Sequence, residues 1–178
     1  MNGQTEEQRV LITAGSSGLG LATACAFQLA GAKVAICARG EEQLAQAKIT
    51  LEALTGQPVL AEVADLSQPA DIDKLIEHVE SHWGAIDVLV NNAALYGGLK
   101  GAGFEKLDEA QWDAVMNINV KGLWQCCKAV VDPMRAAGGG SIINISSLAA
   151  VYGLPYGMDY VASKAAVIGM TRAMAREL

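Results

Sequence analysis

The residues with the clearest chemical potential are Tyr160 and Lys164, which stand four positions apart. On a helix, this spacing places both side chains on one face. A free tyrosine has a pKa of about 10, so it is a poor acid or base at neutral pH. An ammonium group close by favours the phenolate and lowers such a pKa. The pair therefore predicts a tyrosine acid-base catalyst assisted by a lysine, although an ordinary surface pair has the same spacing.

The elements that must position this pair alternate between apolar strand-like runs and helical stretches. This alternation predicts βαβ units, which form a parallel sheet covered by helices, in one domain over residues 1–178. The expected strands lie at 10–13, 33–38, 58–63, 86–91 and 141–146. The expected helices lie at 18–30, 41–54, 69–83, 108–136 and 160–178, with Asp108 as a candidate N-cap.

A glycine-rich segment, TAGSSGLG at 13–20, joins the first expected strand to the first expected helix. Glycines there let the backbone turn and approach a pyrophosphate, which a helix N-terminus attracts. We expect an ordinary φ at Ala14, with any strain absorbed by Gly15. A strand-to-helix turn without a ligand is the alternative, because the motif is short. The expected phosphate-binding residues are Gly15, Ser16, Ser17, Gly18, Leu19 and Gly20.

Polar residues also end the fourth and fifth expected strands. Asn91 and Asn92 close one apolar strand, and Ser147 follows the other, thirteen residues before Tyr160. Asparagines in such a place cost free energy unless they are hydrogen-bonded, so we expect partners for both. Ligands bind at the carboxyl ends of the strands in open α/β sheets. The glycine segment, the asparagines and the serine are all expected at that edge.

Taken together, these motifs resemble the short-chain dehydrogenase/reductase family over essentially the whole chain. The glycine segment is similar to the family's T-G-x-x-x-G-x-G, with Ala14 at the first glycine, and NNAA at 91–94 is similar to N-N-A-G. The resemblance implies an α/β fold of Rossmann type, a doubly wound parallel sheet in three αβα layers with strand order 3-2-1-4-5. It also implies an NAD(P)(H)-dependent oxidoreductase that interconverts a carbonyl and a secondary alcohol.

The resemblance assigns catalytic roles to four residues. Tyr160 would exchange a proton with the substrate oxygen, and Lys164 would assist it and hold the nicotinamide ribose. Ser147 matches the family's serine, which binds that oxygen and stabilises developing charge. Asn119 matches the asparagine that holds a water in a proton relay, and it fits the family's Asn-x-x-Gly pattern better than Asn117. An asparagine inside a helix is locally unfavourable, which points to a specific reason for it.

The end of the second expected strand bears on the choice of cofactor. An acidic residue there would bind a ribose 2′-hydroxyl, and an arginine would accommodate a 2′-phosphate. Ala38 stands where NAD-preferring relatives carry Asp, and Arg39 follows it. We therefore expect a preference for NADP(H), with NAD(H) as the alternative cofactor and a solvated surface arginine as the alternative role for Arg39.

Other cofactor contacts are expected after the third and fourth strands. Asp65 and Leu66 resemble the family's pair at the adenine, although Asp65 could equally be a turn residue. By the same resemblance, Asn92 and Ala93 would border the cofactor.

Composition excludes several function classes. A formal net charge of −6 argues against a general nucleic-acid surface. No apolar run approaches the ~20 residues of a membrane span. The first nine residues, MNGQTEEQR, are polar and are expected to form a short tail and not a targeting segment. We expect a cytoplasmic protein with buried thiols and no disulfide. These thiols are Cys25, Cys37, Cys126 and Cys127.

Two further pairs of residues are open to a structural or a functional interpretation. His78 and His82 share a helix face but lack an obvious third metal ligand, so a solvated face is expected. Trp112 and Trp124 are expected to pack in the fold or at an interface. The resemblance implies a homo-oligomer formed through the long helix and the helix of Tyr160 and Lys164.

The resemblance also implies elements after that helix: a sixth strand, a Pro-Gly segment beside the nicotinamide, a lid over the substrate and a seventh strand. None of them is found before Leu178. We therefore expect a truncated form or a fragment of such an enzyme, with little activity of its own. A non-catalytic nucleotide-binding module is the alternative function. The substrate is expected to be a small carbonyl or alcohol, and the sequence does not identify it.

Overall fold

The structure of the protein is a computed structural model, which describes residues 8–178. Its strands are β1 (Arg9–Thr13), β2 (Lys33–Ala38), β3 (Val59–Val63), β4 (Val88–Asn91) and β5 (Ser141–Asn144). Its α-helices are α1 (Gly18–Leu29), α2 (Glu41–Thr55), α3 (Pro69–Trp83), α4 (Glu109–Met116), α5 (Leu123–Ala136), α6 (Ala149–Tyr152) and α7 (Met158–Glu177). A 3₁₀ turn (Phe104–Lys106) precedes α4, and a π-helical segment (Asn117–Gly122) joins α4 to α5.

The five strands form one parallel sheet in the order β3-β2-β1-β4-β5. Leu11 at the centre of β1 aligns with Ala35 on one side and Leu89 on the other. The strand order reverses between β1 and β4, and in sheets of this kind the reversal opens a crevice at the carboxyl ends of the strands. The glycine segment after β1 and the asparagines after β4 flank this point. The expected fold and strand order are confirmed.

Successive residues of the strands point to opposite faces of the sheet, and both faces are buried along β1, β2 and β4. The edge strand β5 is less covered, with Ser141 and Ile143 exposed. Leu11 and Leu89 pack with apolar residues of α3 and α5, whereas Ile12 and Ile36 pack with those of α1 and α2. Burial of a side chain of this size stabilises the fold by about 1.5–3 kcal/mol. The sheet is therefore the middle of three layers, and its carboxyl edge is held rigidly from both sides.

Helix ends follow their local chemistry. Pro69 occupies the first turn of α3, where its missing N–H costs nothing. The helices α2 and α3 end at Gly56 and Gly84, which have φ angles of 70° and 79°. Glycine adopts this left-handed conformation without the steric penalty of a Cβ.

The long helix expected from 108 to 136 is interrupted, and in this respect the expectation was wrong. Residues 117–122 wind as a π-helix, and Gly122 lies so close to the loop after β3 that a Cβ there would be 2.6 Å from the Leu66 carbonyl oxygen. This close contact between backbones favours a local change of winding, which hydrophobic periodicity does not reveal. Asp108 stands at the N-cap position of α4, but its side chain makes no capping hydrogen bond.

The segment after β5 also differs from expectation. The strand ends at Asn144, two residues early, and the hydroxyl groups of the two serines that follow bind other elements. Ser146 Oγ donates to the Lys164 carbonyl oxygen at 2.7 Å, and Ser147 Oγ accepts the Ala149 N–H at 3.1 Å. The second of these bonds tightens the turn that leads into α6, a helix that was not expected.

The expected N-terminal tail is only partly tested, since residues 1–7 lie outside the described part of the chain. The expectation was wrong for Arg9, which begins β1. Its Nη2 lies 2.6 Å from Asp87 Oδ1, and its Nε donates to Asp87 Oδ2 at 2.7 Å. This two-point ion pair fixes the start of β1 to the segment before β4.

Candidate active site

The glycine segment is shaped by close contacts that a side chain would block. A Cβ at Gly15 would be 2.5 Å from Ile36 Cγ2 on β2, and one at Gly20 would be 2.2 Å from the Ala14 carbonyl oxygen. Gly18 has a φ of 51° and nothing within 4 Å of its would-be Cβ. Gly15 therefore packs the loop against the sheet, Gly20 packs the start of α1 against the loop, and Gly18 leaves open space between them.

The expectation of an ordinary φ at Ala14 was wrong. Ala14 has a φ of 51°, in the left-handed region where an alanine is strained by about 1–2 kcal/mol. Gly15 does not absorb this strain, since it is required instead by its contact with Ile36. The chain holds Ala14 in place because its carbonyl oxygen accepts a hydrogen bond from Asn92 Nδ2 at 3.3 Å.

Asn92 and Thr13 connect the ends of β4 and β1. Asn92 Nδ2 also donates to the Thr13 carbonyl oxygen at 3.0 Å, while Thr13 Oγ1 accepts the N–H groups of Asn92 and Ala93 at 2.9 and 3.0 Å. The position of the glycine segment is thus set from the neighbouring strand. Leu19 and the first residues of α1 are exposed, and no side chain of the described residues caps this helix. The N–H groups of its first turn remain available to an anion.

A cleft opens beside this segment at the carboxyl edge of the sheet. Among the expected cofactor residues, Ser16, Arg39, Asp65, Leu66 and Ala93 line it, and the others do not. Gln43 of α2 also lines the cleft, with its Oε1 at 3.5 Å from Ser16 Oγ, although the sequence did not single it out. It could have been noticed as a polar residue in the first turn of the helix that follows Arg39.

Asp65 and Leu66 make contacts that stabilise the fold, and they also line the cleft. Asp65 Oδ1 accepts the Ser67 N–H at 2.9 Å, which is the bond of a tight turn. Leu66 is almost fully buried in the core between the sheet and α5. Their presence in the cleft is therefore compatible with either interpretation.

The partners expected for Asn91 are present on only one side of its amide. Asn91 Nδ2 donates to Asn144 Oδ1 at 2.9 Å and to Cys127 Sγ at 3.2 Å. Its Oδ1 is buried and has no hydrogen-bond partner among residues 8–178. Asn91 therefore joins β4 to β5 inside the core and does not face the cleft.

Tyr160 and Lys164 lie together on α7. Lys164 Nζ is 6.0 Å from the centre of the Tyr160 ring and donates to the Ile145 carbonyl oxygen at 2.7 Å. Lys164 is only 2% exposed and has no ion-pair partner among the described residues, so burial lowers the pKa of its ammonium. The Tyr160 hydroxyl makes no hydrogen bond within residues 8–178 and is free to meet a ligand.

Ser147 follows β5, and its hydroxyl can donate a hydrogen bond to a ligand. Its oxygen accepts the Ala149 N–H, and its own O–H has no acceptor within the described part of the chain. A substrate oxygen could accept it, as the sequence predicts.

Asn119 lies in the π-helical segment and connects two elements around Tyr160. Its Oδ1 accepts the Leu95 N–H at 2.6 Å, and its Nδ2 donates to the Leu95 carbonyl oxygen at 3.2 Å and to Ser163 Oγ at 3.0 Å. Ser163 Oγ in turn donates to the Tyr160 carbonyl oxygen at 2.8 Å. Because Leu95 lines the cleft, this series of bonds connects the cleft to the turn of α7 that carries Tyr160.

Three residues near Tyr160 were missed in the sequence. The ring of Tyr96 packs on that of Tyr160 with centroids 4.6 Å apart. Asp159, which is 1% exposed, accepts a hydrogen bond from Gln111 Nε2 at 2.7 Å. An acidic residue directly before Tyr160 in a helical first turn was the available signal, but its burial depends on tertiary packing.

The remaining candidates lie away from this site. All four cysteines are free, and burial raises the pKa of Cys37 to about 12 and that of Cys127 to about 11. His78 Nδ1 lies 3.4 Å from Glu62 Oε2, and no group of three or more potential metal ligands occurs within residues 8–178. Trp124 is 47% exposed, with Lys128 Nζ 5.8 Å from its ring centre. In the same part of the chain, no helix is sufficiently long and apolar to span a membrane.

Comparison with known proteins identifies the family. The sequence profile described as short chain dehydrogenase matches residues 8–178. The chain belongs to the short-chain dehydrogenase family. Members of this family are NAD(P)-dependent oxidoreductases that interconvert carbonyls and alcohols, and the chain is an oxidoreductase of this type by that membership.

Short-chain dehydrogenases similar to this chain differ in substrate and cofactor. A 3-oxoacyl-(acyl-carrier-protein) reductase of Thermotoga maritima is 40% identical over 94% of this chain and 67% of its own. An actinorhodin polyketide ketoreductase with NADPH has a TM-score of 0.91 and 33% identity, covering 99% of this chain and 67% of that one. An NAD+-bound xylitol dehydrogenase has a TM-score of 0.93 and 28% identity, covering 98% and 66%. The chain thus spans about two thirds of the length of these proteins.

Proposed function

We propose that this chain carries the site at which a short-chain dehydrogenase reduces a carbonyl compound with NADPH. The single observation that carries the proposal is the surroundings of Tyr160. Its hydroxyl is unpartnered within the described residues, and its ring lies beside a buried lysine that has no carboxylate partner there. Burying an ammonium without a counter-charge costs free energy, so this lysine is placed for chemistry and not for stability.

The chain's own residues divide the work of proton exchange and positioning. Tyr160 gives its proton to the carbonyl oxygen in reduction and takes it back in oxidation. Ser147 donates a hydrogen bond to the same oxygen and stabilises the charge that develops on it. Lys164 supports Tyr160 and binds a ribose hydroxyl through its remaining hydrogens. Asn119 holds Leu95 and Ser163 in place, and a role for it in a water relay stays a prediction.

The residues of the cleft fit a dinucleotide. The glycine segment gives close access to backbone N–H groups at the uncapped start of α1, which suits a pyrophosphate. Gly15, Ser16, Ser17, Gly18, Leu19 and Gly20 would bind the phosphates, and Asp65, Leu66, Asn92 and Ala93 would border the nucleosides. When bound, the nicotinamide supplies or accepts the hydride.

The preference for NADP(H) rests on the end of β2. Arg39 is exposed, lines the cleft and has no ion-pair partner among the described residues, so its guanidinium is free to bind a 2′-phosphate. Ala38 offers no carboxylate to a ribose 2′-hydroxyl. Ser16 and Gln43 line the same cleft and would add polar contacts.

A nucleotide-binding module without catalysis is not favoured, because binding alone does not require the Tyr160–Lys164 arrangement.

A homo-oligomer formed through α5 and α7 is part of the proposal, and the exposed Trp124 on α5 supports it. A cytoplasmic location is also proposed, and the four free cysteines support it.

Turnover by a conservative variant tests the proposed reaction. NADPH consumption would be followed with the wild-type chain and with Tyr160→Phe, using acetoacetyl-coenzyme A as a 3-oxoacyl thioester and xylulose as a polyol-derived ketone. The phenylalanine keeps the ring but removes the proton donor, so kcat should fall by about 10²–10⁴-fold. NADPH binding should be unchanged. Equal turnover by the two proteins would contradict the role of Tyr160.

A further inference from the structure

Asp159 is a buried carboxylate that no step of the proposed reaction uses. It is 1% exposed and has no ion-pair partner within residues 8–178. Its Oδ1 accepts the Tyr160 N–H at 2.8 Å, and its Oδ2 accepts Gln111 Nε2 at 2.7 Å. Its place in the first turn of α7 lets the helix dipole stabilise the negative charge. The side chain therefore attaches the start of this helix to α4.

The orientation of the Gln111 side-chain amide toward Asp159 is fixed by Lys100. Its Oε1 accepts the Lys100 N–H at 2.9 Å, and its Nε2 donates to the Lys100 carbonyl oxygen at 3.2 Å. These two bonds to one residue fix which end of the amide carries the nitrogen. The second Nε2 hydrogen is then directed at Asp159, so Gln111 links the loop of residues 95–103 to α7.

The same loop reaches Tyr160 a second time through Tyr96. The two rings lie 4.6 Å apart with an interplanar angle of 50°, in the tilted arrangement that aromatic pairs prefer. Tyr160 is thus held at its backbone through Asp159 and at its ring through Tyr96. Both contacts depend on where the loop lies, and Gln111 fixes the loop at Lys100.

We propose that Asp159 and Gln111 are positioning residues that set the place of the Tyr160 ring relative to the substrate oxygen. They touch no reacting atom, and their effect passes through the loop and through the first turn of α7. The inference rests on the proposed function for its meaning, since Tyr160 is the proton donor there. The bonds themselves can be tested without turnover.

Single substitutions at this pair must break the link. In Asp159→Asn, either orientation of the new amide faces one N–H donor with another, at Tyr160 or at Gln111. In Gln111→Glu, two carboxylates face each other. The reciprocal double variant, Asp159→Asn with Gln111→Glu, restores the hydrogen bond between the two side chains with its direction reversed. It does not restore the bond to the Lys100 carbonyl oxygen, because a carboxylate at position 111 cannot donate. Gln28→Met is the matched control, because Gln28 is a buried glutamine of α1 whose Nε2 donates to the Gln57 carbonyl oxygen.

Fluorine NMR of the chain labelled with 3-fluorotyrosine reads the position of each ring. The four tyrosines give four signals, which are assigned by replacing each tyrosine with phenylalanine. We expect each single substitution to shift or broaden the Tyr96 and Tyr160 signals and leave that of Tyr152 unchanged. The double variant should return the Tyr160 signal toward its wild-type position and the Tyr96 signal only in part, because the loop still lacks its bond from position 111 to the Lys100 carbonyl oxygen. Gln28→Met should move neither signal. Unmoved Tyr96 and Tyr160 signals in the single variants, or no recovery of the Tyr160 signal in the double variant, would overturn the proposal.

Kinetics separate positioning from a general loss of stability. With acetoacetyl-coenzyme A and NADPH, each single variant should lose kcat by about ten- to a hundredfold, because small misplacements of a catalytic group are costly. The Kd for NADPH should stay unchanged, and the double variant should recover part of the lost kcat. A loss confined to thermal stability, with wild-type kcat, would also overturn the proposal. Absence of turnover in the wild-type chain would count against the proposed function, while the NMR result would still decide the inference.

Discussion

At the scale of single residues, the candidate site contains residues with a strained backbone and residues with a buried charge. Ala14 and Tyr156 are the non-glycine residues of positive φ in the described part of the chain. Lys164 and Asp159 are buried charges without an opposite charge in that same part. Strain and buried charge both cost stability, and in proteins they concentrate at functional sites. Three of these four residues lie at the site proposed here, and Tyr156 lies three residues before Asp159.

Replacing Ala14 with glycine should stabilise the fold. Glycine removes the steric cost at a φ of 51° but gives the unfolded chain more freedom, so the expected net gain is about 0.5–1 kcal/mol. Urea unfolding of the two proteins measures it. Ala22→Gly within α1 is the control, and it should lose about 1 kcal/mol. A loss of stability in Ala14→Gly would show that the left-handed conformation is not strained.

The pair of Arg9 and Asp87 predicts a pH dependence of stability. The hydrogen bonds from Arg9 hold the pKa of Asp87 below its ordinary value of 3.8. The stabilising effect is therefore complete above that value and is lost as the pH falls through the lower folded-state pKa. Asp87→Asn should lose about 1 kcal/mol at about pH 7, and the difference from wild type should narrow at about pH 3.

Asp132→Asn is the control for this measurement. Asp132 pairs with Arg135 at 3.2 Å, but the carboxylate side chain is 85% exposed, so its loss should hardly change stability. A difference between wild type and Asp87→Asn that widens toward acid pH would contradict the interpretation of the Arg9 pair.

At the scale of elements, the π-helical segment carries Asn119 into contact with the loop after β4. It is held against the loop after β3 by the absence of a side chain at Gly122. Gly122→Ala should destabilise the fold by about 1–3 kcal/mol, because a Cβ would meet the Leu66 carbonyl oxygen at 2.6 Å. Thermal unfolding measures this.

A glycine inside another helix provides the control. Gly169 lies within α7 with nothing within 4 Å of its would-be Cβ, so Gly169→Ala should raise stability by about 0.5–1 kcal/mol. Equal effects of the two substitutions would mean that the close contact at Gly122 does not constrain the segment.

Much of the element pattern could be predicted from the sequence, because strand and helix periods are local. β2 and α3 begin and end at the expected residues, and the motifs at the strand ends meet at one edge, as a parallel sheet requires. The π-helical segment and the burial of Asp159 could not be predicted, since each depends on contacts between residues far apart in sequence. The helix α6 was missed because it is only four residues long, too short to show a hydrophobic period. The left-handed Ala14 was missed because alanine gives no local signal for it.

At the scale of the whole molecule, the sheet separates support from chemistry. Its central strands are buried on both faces, whereas the residues of the candidate site lie on the loops beyond the carboxyl ends, at the start of α1, in the π-helical segment and on α7. The roles of Ser147, Tyr160 and Lys164 and the choice of cofactor stay predictions until they are measured. The central claim is that the cleft at this edge binds a phosphorylated dinucleotide through Arg39.

Fluorescence titration of the purified chain with NADPH and with NADH tests this claim most directly. We predict saturable binding of both, with NADPH bound about ten- to a hundredfold more tightly, since a charge-assisted contact is worth about 1.5–3 kcal/mol. Arg39→Ala should remove that preference and leave NADH binding unchanged. Tighter binding of NADH by the wild type, or equal losses for both cofactors in Arg39→Ala, would contradict the account.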